Sequence, residues 1–230
     1  MRRILLYLFS HRFLALARWD FYFLRLRAKN AVLRQNARLD KALAAAARPF
    51  YLNLGSGPRG LKSPNWLNID GYPDRNVDLL IDFGRTLPFP DRTFDGVFCE
   101  HVLEHFTIED GERLARDVFR CMRPGATWRI IVPDAERIMR AYFDQPEDLV
   151  ARRGGTAMEA VNSYFRQRYE HHFLYDWESM RAMLLRAGFS DVVRSEAHSG
   201  RNRDLILDDD KYAWESLYVE AVRGEVPALA

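Results

Sequence analysis

Four short apolar runs between residues 49 and 99 each stop at a glycine or an acid, and this constrains the fold more than any other feature. Pro49 to Leu54 runs into Gly55-Ser56-Gly57-Pro58. Asn65 to Asp70 and Val77 to Asp82 finish on aspartate, and Asp95 to Cys99 is followed by Glu100. Runs this short and apolar read as buried strands. Polar tips on successive strands collect on one sheet edge, where open α/β sheets bind ligands. Glycines there let the backbone approach a ligand closely, and a carboxylate ending the second strand can accept from both hydroxyls of a ribose.

The remainder keeps the alternation. A helix over 109–122 stops at Met122-Arg123-Pro124-Gly125, and a strand follows at Thr127–Val132. Helical segments run to about Gln167, a helix covers Trp177–Arg186, and strands lie at Asp191–Glu196 and Ser216–Val222. Such alternation predicts an α/β fold with a mostly parallel sheet covered on both faces. A chain of 230 residues suits one such domain plus an appendage. Cys99 and Cys121 make neither a disulfide framework nor a C-x-x-C pair, so they read as reduced, intracellular thiols without a thiolate zinc site.

Charge divides the chain. The net charge is +2, but residues 1–48 carry +9 and residues 49–230 carry −7. The boundary therefore falls between a basic helical arm, 1–48, and the α/β domain, 49–230. Ile4 to Leu26 is rich in Leu, Phe, Tyr and Trp, yet Arg12, Arg18, Asp20 and Arg25 interrupt it. Charges near the centre of a membrane-spanning helix cost several kcal/mol, which excludes a span, and a secretory signal fits poorly. Arg18, Arg25 and Lys29 share one helical face. The arm therefore either lies on an anionic membrane surface through residues 1–30, or packs on its own domain or a second subunit in a homo-oligomer. Nucleic acid is disfavoured because the domain behind the arm is acidic. The expected location is cytoplasmic, with peripheral attachment to the inner membrane only if the arm lies on lipid.

Leu87-Pro88-Phe89-Pro90-Asp91, Phe94-Asp95-Gly96-Val97 and His101-Val102-Leu103-Glu104-His105 together resemble the signature of the class I S-adenosylmethionine-dependent methyltransferases of the type 11 group. Leu54-Gly55-Ser56-Gly57-Pro58, Trp66 to Asp70, Arg123-Pro124-Gly125 and Ala187-Gly188-Phe189 support the resemblance. With Glu215 to Ala221 they look like a bacterial subgroup found beside surface-glycan genes. The resemblance covers about three-quarters of the chain and leaves out the arm. It implies a Rossmann-like seven-stranded sheet with an antiparallel last strand, and S-adenosylmethionine over the strand tips. Gly55, Ser56 and Gly57 would pass beneath the methionine portion, Asp70 would hold the ribose, and Asp82 would accept from the adenine amine beside Phe83. Glu100 and His101 would stand near the reactive methyl. Asn53 occupies the position of the family's usual first acid. Asp70 follows Gly57 by only thirteen residues, so the first helix must be short or missing.

Methyl transfer from a sulfonium is an in-line displacement, in which the protein supplies position, dryness and a base for an oxygen or nitrogen acceptor. His101, His172 and Tyr175 are the catalytic candidates, and the acceptor is read as a small molecule or glycan. For His172 a loop histidine holding a backbone carbonyl is an equal reading. His101, Glu104 and His105 share metal-ligand spacing, but the same string is common in metal-free relatives, so no metal ligand is assigned. Asp208-Asp209-Asp210 reads as a solvated loop. Two other function classes compete. One is a non-catalytic interaction module anchored by the arm, against which the intact Gly55, Gly57, Asp70 and Asp82 speak. The other is an NAD oxidoreductase using Gly55, Gly57 and Gly60, against which the short path to Asp70 speaks.

Overall fold

The structure, a computed structural model, describes residues 11–32 and 35–224. The first ten residues of the arm lie outside the described residues, as does the Arg12 side chain. Two arm helices, α1 (His11–Val32) and α2 (Gln35–Ala44), precede strands β1 (Tyr51–Leu54), β2 (Trp66–Asp70), β3 (Leu79–Leu80) and β4 (Phe94–Glu100). Then come α3 (Ile108–Cys121), β5 (Met122–Pro133), α4 (Ala135–Asp144), α5 (Pro146–Arg153), α6 (Ala157–Arg166), α7 (Trp177–Arg186), β6 (Asp191–Ser195) and β7 (Ser216–Val222).

The strands form one sheet in the order β3-β2-β1-β4-β5-β7-β6. Only β7 runs antiparallel, paired with β5 on one side and β6 on the other. This is the expected Rossmann-like sheet. β1 is the switch point, with Leu52 facing Leu67 of β2 and Val97 of β4. Ligand sites in such sheets open above the strand ends at that point.

Between β1 and β4 the described chain has no α-helix, only a 3-10 turn at Gly57–Arg59. The arm fills part of that side. Leu39 of α2 is buried in the main core with Phe50, Leu52 and Ile69, and α3 and α7 cover the rest of this face with Leu114, Val118, Met180 and Leu184. The opposite face is covered by a loop instead of helices, with Leu205 packed on Tyr51, Phe98, Ile131 and Tyr218.

That loop corrects the reading of Asp208-Asp209-Asp210 as solvated. Arg129 on β5 points to the loop side and is wholly buried. Asp208, also buried, meets its guanidinium with both oxygens, at 2.7 and 2.6 Å. A guanidinium buried on a sheet face demands such a partner. Asp209 pairs with Arg59 at 3.3 Å, and only Asp210 stays exposed, against His198. Cys99 and Cys121 are buried and unpaired. No described helix is long and apolar enough to cross a membrane.

Candidate functional site

A cavity of about 660 Å³ opens at the tips of β1, β2 and β4. At its floor Gly55 adopts φ +75°, and a Cβ there would stand 2.1 Å from Val102 Cγ2, so only glycine fits. Gly57 (φ +48°) donates its amide to Asp70 Oδ2 at 2.8 Å, and Tyr72 donates its amide to Asp70 Oδ1 at 2.8 Å. The carboxylate ending β2 is thus fixed at both oxygens, each with further capacity to accept. Asp82 accepts from the Gly84 amide at 2.9 Å and lines the same cavity with Phe83, His101 and His172.

The arm supplies one wall. Asp20, Phe23 and Arg27 of α1 line the cavity, and Arg27 Nε lies 3.1 Å from Asp82 Oδ2. Tyr22 donates to the Gly71 carbonyl at 2.8 Å and stacks on Tyr72 at 5.0 Å, and Asn30 donates to the Leu80 carbonyl at 3.0 Å. The described part of α1 therefore packs on its own domain, while Phe21 (68% exposed) and Leu24 (57%) face outward. Around the cavity, carboxylates of Asp20, Asp70, Asp82, Asp110 and Glu170 outnumber the guanidiniums of Arg27 and Arg85. That balance suits a cationic ligand and opposes a pyrophosphate, which also lacks a helix N-terminus because the glycine loop leads into a three-residue turn.

His101 sits just past β4 with φ +56°, a left-handed conformation that is uncommon outside glycine and found at functional sites. Its amide donates to the Ile131 carbonyl at 2.9 Å, and its ring packs 4.2 Å from Tyr212. Nδ1 is 2.9 Å from Glu104 Oε1, and Nε2 is buried without a hydrogen-bond partner. Burial works against charge on this ring, but the Glu104 hydrogen bond and the charges of Glu104, Glu100 and Glu215 outweigh it and raise its pKa. His172 is exposed on the cavity wall, its amide donating to the Glu104 carbonyl at 2.8 Å. Gln167, Arg168 and Tyr169, with φ of 33°, 57° and 76°, make the strained turn that brings this segment to the site.

Several expected residues are placed elsewhere. Tyr175 is fully buried: its backbone bridges Asp134 beside the sheet, which turns the ring into the core, with its hydroxyl against Gly111. Glu100 is buried away from the cavity, because Arg59 pairs with it and the Asp209 amide donates to Oε1 at 3.1 Å. Asn53 is buried and donates to Asn68 at 3.3 Å, and Ser56 is buried without lining the cavity. Sequence reasoning missed Phe23, Arg27 and Tyr72. The aromatic and basic content of the arm was the only signal for Phe23 and Arg27, and Tyr72 had none.

Residues 67–130 match a protein family described as a methyltransferase domain. The ubiquinone/menaquinone biosynthesis C-methyltransferase UbiE of Cronobacter sakazakii is 29% identical over 120 residues, covering 51% of this chain and 47% of the relative. Its counterpart in Salmonella paratyphi B is 28% identical over the same shares. The chain thus spans about half the length of the curated relatives it matches. Among solved structures, a chain from the complex of the Haloferax volcanii Trm112 methyltransferase activator with a methyltransferase shares the fold. It has 15% identity and a TM-score of 0.51, over 87% of this chain and 94% of that one. Residues 67–130 thus match a methyltransferase-domain family, within a seven-stranded sheet of the order β3-β2-β1-β4-β5-β7-β6.

Proposed function

We propose that the protein transfers a methyl group from S-adenosylmethionine to oxygen or nitrogen of a small-molecule or glycan acceptor. The observation that carries this reading is the Asp70 carboxylate, fixed by two backbone amides at the tip of β2 in an acidic cavity of nucleoside size. Asp70 would hold the ribose, Asp82 and Phe83 the adenine, and the backbone of Gly55 and Gly57 the methionine portion. Bound there, S-adenosylmethionine supplies a methyl group on a positively charged sulfur that leaves as a neutral thioether.

The chain's own contribution is position and a proton acceptor. His101 would donate through Nδ1 to Glu104, leaving the Nε2 lone pair to take the acceptor's proton as the new bond to carbon forms. His172 stands as the alternative base on the same wall. Exposed Phe21 and Leu24 beside exposed Arg18 and Arg25 support contact of α1 with an anionic membrane surface. Sedimentation with anionic vesicles, set against gel filtration alone, separates this contact from self-association through the same face.

Calorimetric titration with S-adenosylmethionine and separately with NAD tests the cofactor assignment. Binding of the former alone is expected. Binding of neither removes the enzymatic reading in favour of an interaction module, and binding of NAD alone overturns it.

A further inference from the structure

Glu104, His105 and His171 converge behind the cavity, on elements 66 residues apart in sequence. One ligand atom from each lies within 4.8 Å of the other two. The side chain of Glu104 is wholly buried, and after Oε1 meets His101, its Oε2 has no hydrogen-bond partner. A buried carboxylate oxygen left unpaired is costly and calls for an explanation.

The two imidazoles are set for ligation. His105 Nδ1 lies 3.1 Å from the Glu170 carbonyl, and His171 Nδ1 lies 2.6 Å from the Tyr164 carbonyl. A carbonyl only accepts, so both rings carry their hydrogen on Nδ1 and keep the Nε2 lone pair free. An imidazole oriented by a backbone carbonyl through its other nitrogen is the usual arrangement of a metal-binding histidine. The rings stand edge to face with centroids 4.9 Å apart.

We propose that Glu104 Oε2, His105 Nε2 and His171 Nε2 bind a divalent cation of the borderline class, such as Zn²⁺, Co²⁺ or Fe²⁺. Two imidazoles and one carboxylate suit these ions better than Mg²⁺ or Ca²⁺. Donors at about 2.0–2.2 Å from a cation stand roughly 3–4 Å apart, so the three side chains draw inward as the cation binds. Three protein ligands leave coordination positions open. A second cavity of about 430 Å³ borders all three ligands and carries Arg152, Arg153 and Lys211 on its rim. His105 lines both cavities, so the cation stands at the wall they share. On the methyl-transfer reading, these open positions receive an oxygen of an anionic acceptor.

The test is titration of full-length, chelator-treated protein with Co²⁺ by visible absorption and with Zn²⁺ by calorimetry. One equivalent should bind, and His105→Ala and His171→Gln should each weaken Zn²⁺ binding at least about tenfold. His198→Gln, which alters an exposed histidine paired with Asp210, should leave it unchanged. No binding at millimolar metal overturns the proposal, as does binding that His105→Ala leaves intact. His105 is only partly buried, so its variant serves if His171→Gln does not fold. S-Adenosylmethionine titration of the metal-stripped protein separates the two readings: cofactor binding without metal binding refutes only the cation site.

Discussion

Replacing Asp70 with alanine should separate the cofactor role of this residue from its structural one. Its carboxylate accepts the Gly57 and Tyr72 amides, each at 2.8 Å, and remains partly open to the cavity. Hydrogen bonds to a charged group contribute about 1.5–3 kcal/mol each when buried, and partial exposure puts these two together at roughly 1–3 kcal/mol of stability. A ribose diol bound to the same oxygens would lose two further charge-assisted bonds, on the order of 2–4 kcal/mol, or about 30- to 1000-fold in affinity. Asp70→Asn keeps the volume but turns an NH₂ toward one of the two backbone donors. It should match the alanine variant in lost stability while retaining part of the binding. Calorimetry with S-adenosylmethionine and urea unfolding on the same preparations read the two effects separately. Affinity within twofold of wild type in a folded Asp70→Ala protein would refute the reasoning, because the ribose would then be held elsewhere.

Arg27→Ala removes a partly exposed ion pair, so its stability cost should stay below about 1 kcal/mol. It frees Asp82 for the adenine, and calorimetry should show S-adenosylmethionine binding tightened by up to about fivefold; weakening would make Arg27 part of the cofactor wall. Asp208→Ala removes the two-oxygen partner of the buried Arg129 guanidinium, leaving it Glu220 at 3.4 Å, and should cost about 1.5–3 kcal/mol in urea unfolding. A loss under about 1 kcal/mol would mean the loop finds the arginine another partner. Asp95 gives a pH dependence. Burial opposes its ionisation, but the Phe50 amide at 2.8 Å and the Arg48 guanidinium outweigh this and lower its pKa. Its stabilisation is complete above the ordinary carboxylate value of about 3.9 and disappears as pH falls through the lower folded value. Asp95→Asn should therefore flatten the acid limb of a stability–pH curve, and an unchanged slope below about pH 4 would count against the assignment.

What the sequence disclosed follows from where the information is local. The helix Trp177–Arg186 and the strand Ser216–Val222 were legible to the residue. Asp176 caps the helix through the Ser179 amide at 2.8 Å, and the strand is a mostly apolar run, broken by Glu220, in the sheet interior. β3 shrank from Val77–Asp82 to Leu79–Leu80 because Asp78 turns to the Asn68 amide and Asp82 to the Gly84 amide, ending the edge ladder at both sides. Gly55, Asp70 and Asp82 reach the cavity because strand tips are fixed by topology. Tyr175 and Glu100 did not, since the direction of a side chain beside a bridge or in an ion pair depends on distant partners, Asp134 and Arg59. The contact of Arg27 with Asp82 is equally non-local: the basic residues of the arm look alike until the fold selects one.

The span of the arm contacts bears on how the chain is made. Tyr22 reaches Gly71, 49 residues later, and Asn30 reaches Leu80, 50 residues later. At about 5–20 residues per second, a ribosome leaves α1 waiting roughly 3–10 s before its docking surface exists. Throughout that interval Tyr22, Phe23 and Leu26 are as uncovered as Phe21 and Leu24 remain afterwards. A nascent chain stalled before residue 70 would display a basic, aromatic helix with nothing to shield it, the kind of segment that chaperones and lipid surfaces capture.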